Sequence, residues 1–195
     1  MKKYIKDQIK KSYETKQAIY NDDRLLENIV DLAQKCVALY RGDKKTILAG
    51  NGGSAADAQH IAAELVGRYG FDRPSIPSLS LTTDTSNLTA IGNDYGYDQV
   101  FSRQLEGMGQ EGDIFIGIST SGNSVNIIKA FEAAKKKNIM TVALTGRDGG
   151  EMAKIADISL IVPSNSTPRI QESHILIGHI LCDIIEKEIF ADGVS

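Results

Sequence analysis

"DIFIGISTSGNSVNIIKAFEAAKKK", residues 113–137, reads as a strand, a loop and a helix in direct succession. From Ile114 to Ile118 it is apolar at nearly every position. A strand of that kind is covered on both faces, as the strands of parallel sheets are. The run breaks at "STSGNS" (119–124), where glycine and hydroxyl side chains suit a turn, and apolar residues then return at helical spacing. A buried strand feeding a helix through a short loop is half of a βαβ unit.

The same rhythm continues on either side. Downstream, "MTVALTG" (140–146) predicts another buried strand, "GGEMAKIA" (149–156) a short helix, and "ISLIVP" (158–163) a further strand. A last helix is predicted from about Pro168 to Phe190, with Thr167 as its N-cap. Upstream, "KTILAG" (45–50) is the first strand, followed by a helix from about Ser54 to Tyr69. "SLSLTT" (78–83) is the second strand, and "TSNLTAIGNDYG" (85–96) and "YDQVFSRQLEGM" (97–108) are helical. Five strands alternating with helices imply an α/β fold of three layers, a parallel sheet flanked by helices. Two helices precede the first strand. One carries the stripe Tyr4, Ile5, Ile9 and Tyr13, the other the stripe Leu25, Leu26, Ile29, Leu32, Ala33, Cys36 and Val37, with "YNDD" (20–23) as break and cap. The expected organisation is one domain: N-terminal helices over 1–42, an α/β core over 43–190, and a frayed tail over 191–195.

The 195 residues suffice for one ordinary core. A net charge of -3 gives no basic surplus to attract nucleic acid or an anionic membrane. No run of about 18 apolar residues occurs, and "MKKYIKDQIKKSYE" (1–14) lacks the apolar segment of a signal peptide. Cys36 and Cys182 stand at apolar helical positions, as buried free thiols of a reducing compartment do. A cytoplasmic protein is expected.

In sheets of this class the ligand sits beyond the carboxyl ends of the strands. Three such ends are rich in glycine and small polar residues: "AGNGGS" (49–54), "STSGNS" (119–124) and "TGRDGG" (145–150). Glycine admits positive φ and close approach, and a helix start offers free N–H groups, so such loops suit a phosphate. Plain turn and capping chemistry would select the same residues. Neither a P-loop nor GxGxxG is present, so no nucleotide cofactor is expected; a small phosphorylated metabolite fits better. Ser119, Thr120, Ser121 and Ser124 could wrap the phosphate, with Ser124 also capping the helix.

His60 and Glu64 lie four apart on one helix face, a spacing for a metal, for an acid/base pair, or for a simple exposed ion pair. The last helix carries Gln171, His174 and His179. Around His179 it is apolar almost all round, so a core histidine bonded to a backbone carbonyl is one reading there. Gln171 and His179 are eight residues, roughly 12 Å, apart along the axis, and spacing alone does not pair them.

Five stretches, "GNGGSAADAQHIAAELVGRY" (50–69), "IGNDYGYDQVFSRQ" (91–104), "GDIFIGISTSGNS" (112–124), "ALTGRDGG" (143–150) and "RIQESHILIGHILCDIIE" (169–186), together resemble the sugar isomerase (SIS) domain family. Within it they look most like the phosphoheptose isomerases, which act on sedoheptulose 7-phosphate. The resemblance covers nearly the whole chain. It implies a flavodoxin-like five-stranded parallel sheet and a homotetramer whose active sites draw on neighbouring chains. It also implies contacts to the sugar phosphate from Asn51, Gly52, Gly53 and Ser54. Asn93 and Asp94 would contact sugar hydroxyls, and Ser119, Thr120, Ser121 and Ser124 would hold the phosphate. Glu64 and His179 would be the acid/base pair, Gln171 would also touch substrate, and His60, Glu64, Gln171 and His179 would ligate Zn2+. The implied reaction is ketose–aldose isomerisation through an enediol, supplying heptose for surface polysaccharide such as lipopolysaccharide or capsule. Two alternatives use the same scaffold: a non-catalytic SIS-domain protein that binds a replication initiator, and an isomerase of another sugar phosphate. A pure binder has no use for the four polar helix residues together. A sugar-sensing regulator would need a DNA-binding segment, and residues 1–40 lack a basic helix-turn-helix pattern.

Overall fold

The computed structural model describes residues 1–190, so the tail expected over 191–195 lies outside the described residues. The apolar runs form five strands: β1 (Thr46–Gly50), β2 (Ser78–Ser80), β3 (Ile114–Ser119), β4 (Met140–Gly146) and β5 (Ile158–Val162). They join in the order β2-β1-β3-β4-β5, and each pairing is parallel. The "SLSLTT" run pairs over three residues only.

Period-two alternation sorts the strand side chains onto two faces. Leu48, Ile114, Ile116, Ile118, Val142 and Leu144 pack into one core with α2 (Asp23–Arg41), α3 (Gly53–Val66) and α8 (Thr167–Phe190). Ile47, Ala49, Phe115 and Ala143 face the other core, built with α5 (Ser102–Met108), α6 (Val125–Lys136) and α7 (Gly150–Ile155). These are the three expected layers. Between β2 and α5 lie α4 (Thr85–Tyr95), each residue of which is exposed or half-buried, and a 3-10 turn at Tyr97–Gln99.

The N-terminal pair is α1 (Lys2–Tyr20) and α2, and Asp22 caps α2 by accepting from the Leu25 N–H at 3.0 Å. Helix α2 buries its expected stripe, except that Leu26 stays partly exposed. The α1 stripe is not covered within one chain: Tyr4, Ile5, Ile9 and Tyr13 are 67%, 56%, 60% and 54% exposed.

Two helix ends differ from the sequence reading. Helix α3 stops at Val66 rather than Tyr69, because the Arg73 guanidinium donates to the carbonyls of Glu64, Leu65 and Gly67 and closes the helix from outside. At α8 the Ile170 N–H bonds the Ser166 carbonyl, so Ser166, not Thr167, takes the cap position. Both cysteines are buried free thiols, and burial pushes each up to about 12, so neither is a thiolate near neutral pH.

Candidate active site

Strands β1 and β3 are neighbours, yet α3 leaves β1 toward one face and α6 leaves β3 toward the other. That divergence opens the crevice in which doubly wound sheets bind ligands. Loop 50–54 forms one lip and loop 119–124 the other. Gly52 has φ +56 with open space around it, a backbone shape that side-chain-bearing residues rarely adopt. A Cβ at Gly50 would collide with the Ser54 backbone, and one at Gly53 with the Gln171 amide. On the opposite lip Ser119 is buried, and its hydroxyl shares a 2.8 Å hydrogen bond with that of Ser124. Ser124 precedes α6 but makes no side-chain cap, contrary to the sequence reading, because its hydroxyl is turned to Ser119. Thr120 and Ser121 are half-buried at the mouth.

The third glycine loop has a different task. Gly122 packs so closely on Gly149 and Gly150 that a Cβ there would overlap their backbone. The Met152 N–H donates to the Gly122 carbonyl at 2.9 Å, and the Glu151 N–H to Asn123 Oδ1 at 3.0 Å. Loop 145–150 therefore buttresses loop 119–124 from behind.

Helices α3 and α8 lie side by side with matching order of contacts: Gly53 against Gln171, Ile61 against Gly178, His60 against His179. The absence of a side chain at Gly178 permits this approach, since a Cβ there would collide with Ile61. His60 Nε2 is 2.9 Å from His179 Nε2 and 3.2 Å from Glu64 Oε1. The Tyr69 ring stands 5.8 Å from the His179 ring. Ligating atoms of His60, Glu64 and His179 lie within 4.8 Å of one another. A tetrahedral zinc site with bonds near 2.0–2.1 Å has ligand–ligand edges of about 3.3 Å, so the trio fits such an ion. Gln171 meets α3 at a different level, against Gly53, beside loop 50–54. Asn93 and Asp94 are exposed on α4 and hydrogen-bonded to each other at 2.8 Å.

Two residues at the lips were not singled out in the sequence. Asn51 Nδ2 donates to Asn126 Oδ1 at 3.0 Å, and Asn126 Nδ2 donates back to Asn51 Oδ1 at 2.9 Å. The Tyr97 hydroxyl also donates to Asn51 Oδ1, at 3.2 Å. The available signal was a lone amide at Asn126 inside an otherwise apolar first turn.

The histidine bonded to a backbone carbonyl is His174, not His179. It is fully buried with Nε2 2.9 Å from the Thr145 carbonyl. A carbonyl only accepts, so Nε2 carries the proton, and Nδ1 finds no partner among the described residues. Burial lowers His174 to about 4, with the Thr145 carbonyl opposing. Its unfolded value is near 6.5, so between about 6.5 and 4 the unfolded chain binds the extra proton. The native state loses stability as pH falls through that window, by about 3 kcal/mol in all. Asp57 works oppositely. Burial raises its carboxyl to about 6, His60 opposing, so the native state gains there as pH falls. The His174 contribution is isolated by a difference: His174→Gln is expected to gain on the parent by about 3 kcal/mol between pH 7 and pH 4 in urea unfolding. A constant gap would show that His174 does not remain neutral.

With the geometry in place, the chain can be set beside known proteins. It matches the SIS domain family over residues 10–146. It is 82% identical to the phosphoheptose isomerase of Sulfurimonas denitrificans over 195 residues, covering the whole of both chains. It is 55% identical to phosphoheptose isomerase 2 of Campylobacter jejuni, over 98% of this chain and 96% of that one. Its fold superposes on the phosphoheptose isomerase structure from Neisseria gonorrhoeae with a TM-score of 0.89 at 45% identity, covering 95% of this chain and 98% of that one. The chain belongs to the SIS-domain family, within it to the phosphoheptose isomerases, and is an isomerase.

Proposed function

We propose that the chain converts sedoheptulose 7-phosphate to D-glycero-D-manno-heptose 7-phosphate by proton transfer through an enediol. The observation that carries this reading is what α3 presents along its length where it meets α8. A Glu–His–His cluster stands at one level and a glycine–hydroxyl crevice at the other. Gly53 and His60 are seven residues apart on one helix face, about 10 Å of axis. That is the scale of an extended seven-carbon chain between its carbonyl end and its phosphate.

In this reading Ser54, Ser119, Thr120, Ser121 and Ser124 hold the phosphate with the backbone of Gly52 and Gly53. Anchoring the far end turns remote binding energy into position at the reacting carbons. Glu64 takes the proton from C1 and delivers it to C2; His179 moves the proton between O1 and O2. Asn93, Asp94 and Gln171 contact the sugar. His60, Glu64 and His179 would hold zinc, which when bound would supply polarisation of the substrate carbonyl; Gln171, which stands against Gly53 at the other level, serves the sugar rather than the ion. The initiator-binding alternative leaves this cluster without purpose. The product is a precursor for nucleotide-activated heptose of surface polysaccharide, made in the cytoplasm.

The reaction is tested by NMR of sedoheptulose 7-phosphate in D2O, with and without chelator. An aldose 7-phosphate carrying deuterium at C2 is the expected product. No conversion, with or without added zinc, would overturn the assignment. The phosphate site is tested separately. Ser119→Ala with Ser121→Ala is expected to raise KM about tenfold or more; an unchanged KM would put the phosphate elsewhere.

The partner in solution is taken to be further copies of the same chain, as a homotetramer with sites near the subunit boundaries. The uncovered α1 stripe supports this, since a row of tyrosine and isoleucine over several helical turns is costly in water. Light scattering is expected to give four times the chain mass, and Ile5→Asp with Ile9→Asp a smaller species. A parent protein that runs as a monomer would remove the shared site.

A further inference from the structure

The paired amides of Asn51 and Asn126 join the two lips of the crevice across 75 residues of sequence. Asn126 is 4% exposed, so water cannot replace its partner. An amide edge presents one acceptor and one donor and is complementary to another amide edge. Serine or alanine cannot match it, and a carboxylate would set two acceptors against the Asn51 carbonyl. The consequence for Asn51 is specific. Its Oδ1 accepts from both Asn126 and Tyr97, which fills both lone pairs. Its Nδ2 gives one N–H to Asn126, and the other has no partner among the described residues. An acceptor facing an anion would repel it; among the described residues the one unused polar group of the Asn51 side chain is a donor.

We propose that Asn126 is a positioning residue of the isomerase site, locking Asn51 so that loops 50–54 and 119–124 stand at fixed spacing and Asn51 offers only N–H to the ligand. This rests on the reading that the two loops hold the sugar phosphate. Tyr97 is the outer half of the same lock. It is exposed on the 3-10 turn that follows Asn93 and Asp94, and so ties that segment to loop 50–54.

A residue that acts only through Asn51 has no effect once Asn51 is gone. The test is a double-mutant cycle of Asn51→Ala and Asn126→Ala. It is read as kcat and KM for sedoheptulose 7-phosphate and as the inhibition constant of inorganic phosphate, with thermal melts to establish folding. Each single change is expected to lower kcat/KM about tenfold or more and to weaken phosphate inhibition. The double variant is expected to lose no more than Asn51→Ala alone. Losses that multiply, or an Asn126→Ala enzyme with unchanged phosphate inhibition, would overturn the proposal. If Asn126→Ala does not fold, Tyr97→Phe probes the lock from the surface. A loss of about threefold is expected, absent in the Asn51→Ala background; the same loss in both backgrounds would overturn it. The serine pair separates the two failures. If Ser119→Ala with Ser121→Ala leaves phosphate inhibition intact, the phosphate reading falls and the lock with it. If the serine variant loses inhibition while the asparagine cycle is additive, only the lock falls.

Discussion

Glu64→Gln is expected to leave the fold intact and to lower kcat by about 10³-fold or more, with KM changed only a few-fold. The substitution keeps the shape of the side chain and an oxygen that can face His60, now 3.2 Å away. It removes the ability to take a proton. General base catalysis contributes about 10² to 10⁴ in rate, and an interaction used only in the transition state appears in kcat rather than KM. The same residue is also a candidate zinc donor, so metal content should be measured on the same samples. Loss of turnover with metal retained assigns the defect to proton transfer. Loss of both, restored by excess zinc, assigns it to the ion. Near-normal turnover would take Glu64 out of the mechanism.

What the sequence made legible follows the range of the interactions involved. The strand–loop–helix reading of 113–137 holds because it depends on apolar spacing within a few residues, and β3 and α6 fall inside it. The His60–Glu64 pair is legible for the same reason, since four residues on a helix set the distance. His179 joins them only through the register of α3 on α8, which no local pattern carries. Spacing along α8 therefore left Gln171 and His179 unrelated, while the structure gives each its own level on α3. The two histidines of α8 were read without the strand above them, and the carbonyl of Thr145 selects His174. Asn126 was missed because its partner is 75 residues away. The third glycine loop looked like a ligand loop because glycine serves close backbone packing as readily as close ligand approach.

The end of α3 was also misjudged for a long-range reason, and that reason carries the second large prediction. Arg73 and Glu186 form an ion pair at 2.9 Å with side chains only 2% and 1% exposed. Glu186 also accepts from the N–H groups of Tyr69 and Gly70, at 2.8 and 2.5 Å. Other N–H groups of Arg73 donate to carbonyls at the end of α3, including that of Glu64. Burial pushes the Glu186 carboxyl up, but the two amides and the guanidinium outweigh it and hold the group below its ordinary value. Glu186→Ala leaves the buried Arg73 guanidinium without its counter-charge and the Tyr69 and Gly70 N–H groups without their acceptor. Breaking a buried pair in this way costs about 3–5 kcal/mol, which for a chain of this size lowers Tm on the order of 10 °C. The depressed carboxyl fixes the sign of the pH dependence. Its contribution is complete above the ordinary carboxylate range and is lost as pH falls through the lower folded-state value. The gap in Tm between parent and variant should therefore be widest near neutrality and shrink in acid; a gap that widens in acid would show that the carboxylate is not held by these donors. Activity should suffer below the melting temperature as well. The clasp fixes the last turn of the helix that carries Glu64, and it sets the Tyr69 backbone whose ring lies against His179. Glu186→Gln keeps one acceptor for the amides and removes the charge, so it should fall between parent and Glu186→Ala in both Tm and kcat. Equal Tm values for all three proteins would mean that the pair adds nothing to the stability of the fold.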